Sequence, residues 1–301
     1  MKLNIYKIGK KGVFFGLLLL CLSTSFTAHT QKFEFRSHVG VLYYQGDLSP
    51  LPIDLSFSRG HLAVGASAGY NFNKFISIHA RMLKGTLSGT DSDASNRGRR
   101  RRNLSFETPL QEYGLMAEFN FNALFKNLDR YGLKFYYTTG INLYKFNPRT
   151  FYNGQWVDLK PLGTEGQGIS GIGEGMDYAL SQYNIPFGVG VKFKIKNRYS
   201  FGLELTSRWT FTDYIDDVST SYVSYQDLLE NNGVLSATLG NRTGEYLNTP
   251  PIDIDPDAQR GDRTDNDWYM YTGMYFSYGI GTFISAKIIN GKPVRILKPG
   301  L

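Results

Sequence analysis

Ile185-Pro186-Phe187-Gly188-Val189-Gly190-Val191-Lys192-Phe193-Lys194-Ile195-Lys196 alternates without a break. Ile185, Phe187, Val189, Val191, Phe193 and Ile195 fall on one face of an extended chain, and Pro186, two glycines and three lysines on the other. A period of two is the signature of a strand, because successive side chains point to opposite faces. Lys196-Asn197-Arg198 then makes a short turn, and Tyr199 to Phe211 repeats the pattern. There Phe201, Leu203, Leu205, Trp209 and Phe211 oppose Gly202, Glu204, Thr206, Arg208 and Thr210. Each block is long enough to cross a bilayer at a tilt.

Working outward, the same reading predicts six more strands: Phe33 to Tyr44, His61 to Phe72, Phe75 to Leu83, Leu110 to Asn122, Leu133 to Phe146 and Trp268 to Ile284. The last is rich in Tyr and Gly, and its facing is ambiguous. Eight strands is an even number, as a single-chain bacterial barrel requires. Many polar-face residues are Gly, Ser or Ala, which suits a narrow barrel filled by side chains. The competing architecture is a soluble sandwich with the apolar face as its core.

The connections decide between them. Residues 71–74 and 196–198 are short turns and 123–132 is moderate, whereas 45–60, 84–109, 147–184 and 212–267 are long. Short and long alternate, as periplasmic turns and external loops do in an outer-membrane barrel. Aromatics near the strand ends (Tyr43, Tyr44, Tyr70, Phe72, Phe75, Phe119, Phe121, Tyr144, Phe146, Trp209, Phe211 and Tyr214) read as interfacial girdles. The expected fold class is therefore all-β: an eight-stranded antiparallel transmembrane β-barrel with long external loops.

Residues 1–30 read as a signal peptide, with Lys2, Lys7, Lys10 and Lys11, an apolar run from Val13 to Leu22, and cleavage expected between Thr30 and Gln31. Residues 31–285 would be the barrel and 286–301 a basic periplasmic tail. Cys21 is the only cysteine and leaves with the leader, and Leu20 before it is too large for a lipoprotein signal. The whole chain carries +7; loss of four lysines and no acid leaves 29 basic against 26 acidic residues, or +3. That weak balance gives no reason to expect nucleic acid as a partner.

Few patterns suggest chemistry. His38 and His79 fall on inward faces beside Glu34, Glu112, Glu118 and Glu204. A hydrolase or metal site is one reading; the plainer one is a polar network with Arg36, Arg81, Lys192 and Arg208 as counter-charges. Asp253, Asp255 and Asp257 begin like a calcium loop, but Ala258 and Thr264 break the pattern. No catalytic, metal or cofactor site is assigned. Arg99, Arg100, Arg101 and Arg102, preceded by Arg97, form a run whose guanidiniums suit phosphates such as those of lipopolysaccharide. The alternative is a solvated loop. Gly163, Thr164, Glu165, Gly166, Gln167 and Gly168 form a Gly-rich loop without a Walker lysine. Asp213, Tyr214, Asp216 and Asp217 pack three acids beside an aromatic and read as a structured loop base.

Six strings in order carry a family resemblance over roughly the whole chain after the leader. They are Tyr44-Gln45-Gly46-Asp47-Leu48, Arg102-Asn103-Leu104-Ser105-Phe106, Glu118-Phe119-Asn120-Phe121, Pro161 to Gly168, Ile185-Pro186-Phe187-Gly188, and Asp213 to Ser219. Together they resemble the PorG-type outer-membrane barrels of Bacteroidetes, a group overlapping a domain family of unknown function. The resemblance implies a non-enzymatic component of type IX protein secretion. Its implied partners are outer-membrane lipid and the periplasmic ring lipoprotein with its partner subunit. The arginine run, the long last loop and the basic tail depart from that pattern. They leave open a surface barrel contacting lipopolysaccharide or acting as an adhesin, or a small lipid or peptide hydrolase.

Overall fold

The computed structural model describes residues 33–50, 59–121, 132–173, 176–195, 198–256 and 258–280, and the backbone of 283–289 and 292–298. The expected leader and its cleavage point, and most of the 123–132 connection, lie outside the described residues.

The strands are β1 (Phe33–Gln45), β2 (His61–Asn71), β3 (Ile76–Thr90), β4 (Ser105–Asn120), β5 (Leu133–Phe146), β6 (Arg149–Tyr152), β7 (Gln155–Asp158), β8 (Ser181–Lys194), β9 (Tyr199–Thr210) and β10 (Trp268–Ile280). Eight of them close on themselves, every pair antiparallel. Each pairs with the next long strand along the chain, and β10 returns to β1 from Phe33↔Ile280 to Gln45↔Trp268. Closure removes the sheet edges, which a bilayer cannot satisfy with water. The protein is thus an eight-stranded transmembrane barrel.

The alternation read from sequence is the alternation between wall and lumen. Val189 is 54% exposed on the outer face and Glu204, one strand away, 4% exposed within. The last strand resolves in the same way: Met274 and Phe276 face out, Tyr269, Tyr271, Tyr275 and Ser277 face in. Outward aromatics gather at the short-turn end, where Phe33 meets Tyr70 at 5.1 Å and Tyr199 meets Phe276 at 5.7 Å. On β9, outward Tyr199 and Trp209 lie ten positions apart, about 33 Å of strand and about 25 Å of height at a 40° tilt, the span of a lipid-facing band.

A third of the expected aromatic girdle is corrected. Tyr43, Tyr44, Tyr144 and Phe146 are buried, because β1 and β5 run past the membrane band and end beneath the loops. The loop expected at 84–109 is also shorter than alternation suggested: β3 and β4 stay paired to Thr90↔Ser105. Within 147–184 sits the β6–β7 hairpin, turning at Asn153 (φ 47°) and Gly154 (φ 82°) and bridging to β4 at Glu107↔Arg149. The ladder between β5 and β8 skips from Thr139↔Phe187 to Asn142↔Asn184. Pro186 has no N–H to offer there, and the Thr139 hydroxyl donates to its carbonyl at 3.0 Å.

Considered by itself, the C-terminal segment is a two-stranded antiparallel hairpin, β11 (Phe283–Ile289) with β12 (Lys292–Lys298). The boundary expected at 285 falls inside β11; the last barrel strand ends at Ile280.

The lumen is tight enough that glycine is required opposite its tyrosines. A Cβ at Gly190 would lie 2.2 Å from the Tyr136 ring, and one at Gly202 equally close to Tyr275. Gly190→Ala is expected to cost about 1–3 kcal/mol, the usual range for overpacking. Urea unfolding of the protein in lipid vesicles measures it; a wild-type midpoint would mean the lumen is looser than described.

Candidate functional site

Two buried polar layers lie on the barrel axis. The first is the lumen. Glu34, Glu112, Glu118 and Glu204 meet Arg36, Arg81, Lys192 and Arg208, four charges of each sign. Arg36 donates to both oxygens of Glu118, one at 2.9 Å, and to Glu34 at 3.2 Å. Lys192 donates to Glu34 at 2.5 and 2.6 Å. Arg81 bonds Glu204 at 2.5 Å, and Arg208 reaches both oxygens of Glu112 at 3.3 Å. Rings cover the guanidiniums: Tyr275 lies 4.5 Å from Arg36 and Tyr271 5.4 Å from Arg208. His38 and His79 are placed in this network. His38 Nε2 lies 3.0 Å from the Ser67 hydroxyl, and His79 Nε2 lies 3.2 Å from both Ser77 and Arg36. Both histidines are buried among these groups rather than opening on a cleft. The counter-charges named from sequence are the ones that pair.

The second layer caps the lumen, and here the structure brings together segments that sequence left separate. Glycines in left-handed conformation (Gly163 φ 58°, Gly166 φ 80°, Gly168 φ 85°) wind the 163–168 loop tightly. The Thr164 hydroxyl donates to Asp217 at 2.6 Å, and Glu165 accepts the amides of Ser219 (2.9 Å) and Thr220 (3.1 Å). Tyr178 donates to the other oxygen of Asp217 at 2.6 Å and stacks on Tyr214 at 4.7 Å. Gln167 folds back on its own loop, accepting from the Glu165 amide at 2.9 Å. Asp216 and Asp267 both meet the Tyr44 hydroxyl, at 2.6 and 2.7 Å. Arg260, which sequence reading did not single out, holds the layer together. It is fully buried and donates to Glu165 (2.8 Å) and to the carbonyls of Asp217 (2.9 Å) and Gly240 (3.0 Å).

The arginine run joins this layer from the side. Asn96 caps a short helix, Arg97–Arg102, by accepting from the Gly98 amide at 2.7 Å. Arg102 clasps Asp91 with two bonds of 2.7 and 2.8 Å and donates to the carbonyls of Asp47 and Arg260. Arg99 donates to the carbonyls of Ser49 and Asp47, and Arg100 to those of Ala94 and Ser95. So three of the four arginines expected to contact phosphate are used inside the protein; Arg101 is exposed, as is Arg97. The solvated-loop alternative is corrected by the same contacts. Arg102→Ala should therefore cost about 3 kcal/mol, the lower end for breaking a buried pair, since it leaves Asp91 buried with only Arg99 at 3.5 Å and the Leu104 amide at 3.0 Å. Arg101→Ala should stay within about 0.5 kcal/mol of wild type. Chemical denaturation of the two variants side by side checks this, and equal effects would contradict it.

Acids outnumber bases in the cap. Asp91 has Arg102 and Glu165 has Arg260, but no cation reaches the carboxylates of Asp213, Asp216, Asp217 or Asp267 at bonding distance among the described residues. Burial pushes Asp213 up to about 9 and Asp217 to about 6, against the pull of Arg260 on the latter. Burial, with repulsion from Asp267 on the first and from Asp213 on the second, raises Asp216 and Asp267 well above the carboxylate range. No group of three or more His, Cys, Asp or Glu poised to hold a metal occurs among the described residues.

A closed eight-stranded wall, an ion-paired lumen and a hydrogen-bonded cap define a small transmembrane barrel sealed at its loop end. The chain belongs to the family described as a domain of unknown function (DUF6089), whose model matches residues 11–236. No curated protein matches it in sequence. Among solved structures it is similar to Neisserial surface protein A, at a TM-score of 0.42 and 7% identity, over 82% of this chain and 97% of that one. It is also similar to the N-terminal β-barrel domain of Pseudomonas aeruginosa OprF, at 0.35 and 9%, over 83% and 100%. Ail of Yersinia pestis scores 0.36 at 9% identity, over 84% and 100%. None of these likenesses bears on what this chain does.

Proposed function

We propose that this protein is a non-enzymatic outer-membrane component of type IX protein secretion, tethering the periplasmic ring lipoprotein and its partner subunit to the outer membrane. The observation that supports it best is the lumen. A barrel filled by its own ion pairs presents surfaces to partners and offers no path through its centre. Four of the six strings that resemble PorG-type barrels also have a shared physical role. Asp47, Arg102, Glu165 and Asp213 to Asp217 build one buried cap, so that part of the resemblance lies in an architecture; Glu118 to Phe121 lies at the end of one barrel strand and Ile185 to Gly188 within another. Contacts to the ring would come from the short-turn end and from the basic segment 286–301.

Deleting the gene tests the reading. Cargo should accumulate in the periplasm and disappear from the medium, and mild crosslinking in the wild type should capture the ring proteins. Normal secretion in the deletion strain would discard the role and leave the barrel. A surface role through the arginine run has less support, because Arg99, Arg100 and Arg102 are engaged internally.

A further inference from the structure

A cleft of about 330 Å³ opens on the outside of the loop end, between residues 48–50 and 59–61, the paired extension of β3 and β4, and the β6–β7 hairpin. Its aromatic side is made by Trp156 and Phe151, 46% and 52% exposed, packed edge to face at 5.4 Å. The Arg149 guanidinium lies 4.6 Å over the indole and fixes it. Three polar pairs surround this platform. His61 Nε2 lies 2.6 Å from the Ser88 hydroxyl, Arg59 bonds Asp93 at 3.0 Å, and Arg149 bonds Glu107 at 2.6 Å.

Height decides what can reach it. Glu107 lies six residues beyond outward-facing Tyr113 on β4, about 20 Å of strand and about 15 Å of height at the usual tilt. An acyl chain held in the bilayer does not extend that far. Charge decides the chemistry. Both arginines at the cleft have a carboxylate at bonding distance, so no uncompensated cation selects a phosphate or sulfate. What remains is a half-exposed aromatic pair beside carboxylates with unused lone pairs, a hydroxyl and an imidazole. A ligand matched to that set is neutral, has an apolar face to lie on the rings, and carries many groups that both donate and accept. Sugar rings have these properties, and the volume suits one or two of them.

We propose that this cleft binds a glycan, with Trp156 as the stacking platform and Glu107 and Asp93 as hydroxyl acceptors. The site is independent of the secretion role. The sugar could come from the saccharide portion of the membrane's own lipopolysaccharide or from a soluble polysaccharide outside the cell.

The test uses the full chain in nanodiscs, with calorimetric titration of two probes: delipidated core oligosaccharide from the host's own lipopolysaccharide, and soluble polysaccharide from the culture medium. Saturable binding to either is expected, and which one binds identifies the source. Trp156→Ala and Glu107→Gln should each weaken it at least tenfold. Arg101→Ala, on the neighbouring helix, should leave it unchanged. Retention of the folded form on unheated gels shows that the variants are intact. No saturable binding to either probe overturns the proposal, as does binding that survives both substitutions.

Discussion

Replacing Arg81 by methionine is expected to destabilise the barrel by about 3–5 kcal/mol, the range for breaking a buried ion pair from one side. Arg81 lies in the lumen with Glu204 at 2.5 Å, both almost fully buried. Without the guanidinium, Glu204 keeps a tyrosine contact, from Tyr136 at 3.4 Å, too long and too weak to hold a full charge. Glu204→Leu should cost a similar amount by stranding Arg81. The double variant should recover most of the loss, because two apolar side chains of similar volume avoid the desolvation that two charges suffer. Urea titrations of all four proteins in the same vesicles close the cycle. Additive losses would mean that the two residues do not act as a pair.

The pairing behind that prediction was half legible in the sequence. Alternation placed Arg81 and Glu204 on inward faces, and the need to pair sealed charges named the partners by type. Which base meets which acid could not be read, because it depends on the strand stagger around the closed wall, a long-range property. Tyr44, Tyr144 and Phe146 went astray for a related reason. Alternation says which face a ring is on but not where the membrane band stops, so rings under the cap looked like rings at an interface.

Other features were written locally and overlooked. Asn153-Gly154 is the strongest short-range hairpin signal there is, and it makes the β6–β7 turn that carries Trp156. Ser224 caps the helix Tyr225–Asn232, its hydroxyl accepting from the Asp227 amide at 3.1 Å and donating to the Asp227 carboxylate at 2.6 Å. The role of Arg260 was not written locally. An arginine in an acidic, proline-bearing stretch, with Arg263 three residues on, looks like solvated surface until the fold brings Glu165 and Gly240 around it.

The cap is expected to loosen as pH rises, opposite to the usual behaviour of carboxylates in proteins. Tyr44 has one hydroxyl proton and touches an oxygen of both Asp216 and Asp267. It can donate to only one of them, so the other carboxyl must bring its own proton and donate to the tyrosyl oxygen. Removing that proton sets two negative charges about one ring, in a layer where Asp213 also lacks a cation. The sign follows from proton binding: an acid whose folded pKa is raised binds more protons folded than unfolded. Its contribution is complete below about 4, the ordinary aspartate range, and is lost as pH rises through the folded value. For Asp217 that window closes near 6, and for Asp213 it extends to about 9. Hydrogen exchange at the amides of Ile215 and Val218, which donate to Asp267 (2.8 Å) and Asp216 (2.9 Å), reads the cap directly. With intrinsic exchange corrected for pH, protection there should fall at least tenfold between pH 5 and pH 9, while the amides of β8 and β9 stay protected. Asp213→Asn should flatten the upper part of that dependence, because its amide has no proton to lose. If protection instead rises with pH, the four aspartates are ionised in the folded cap, and a cation must be sought among them.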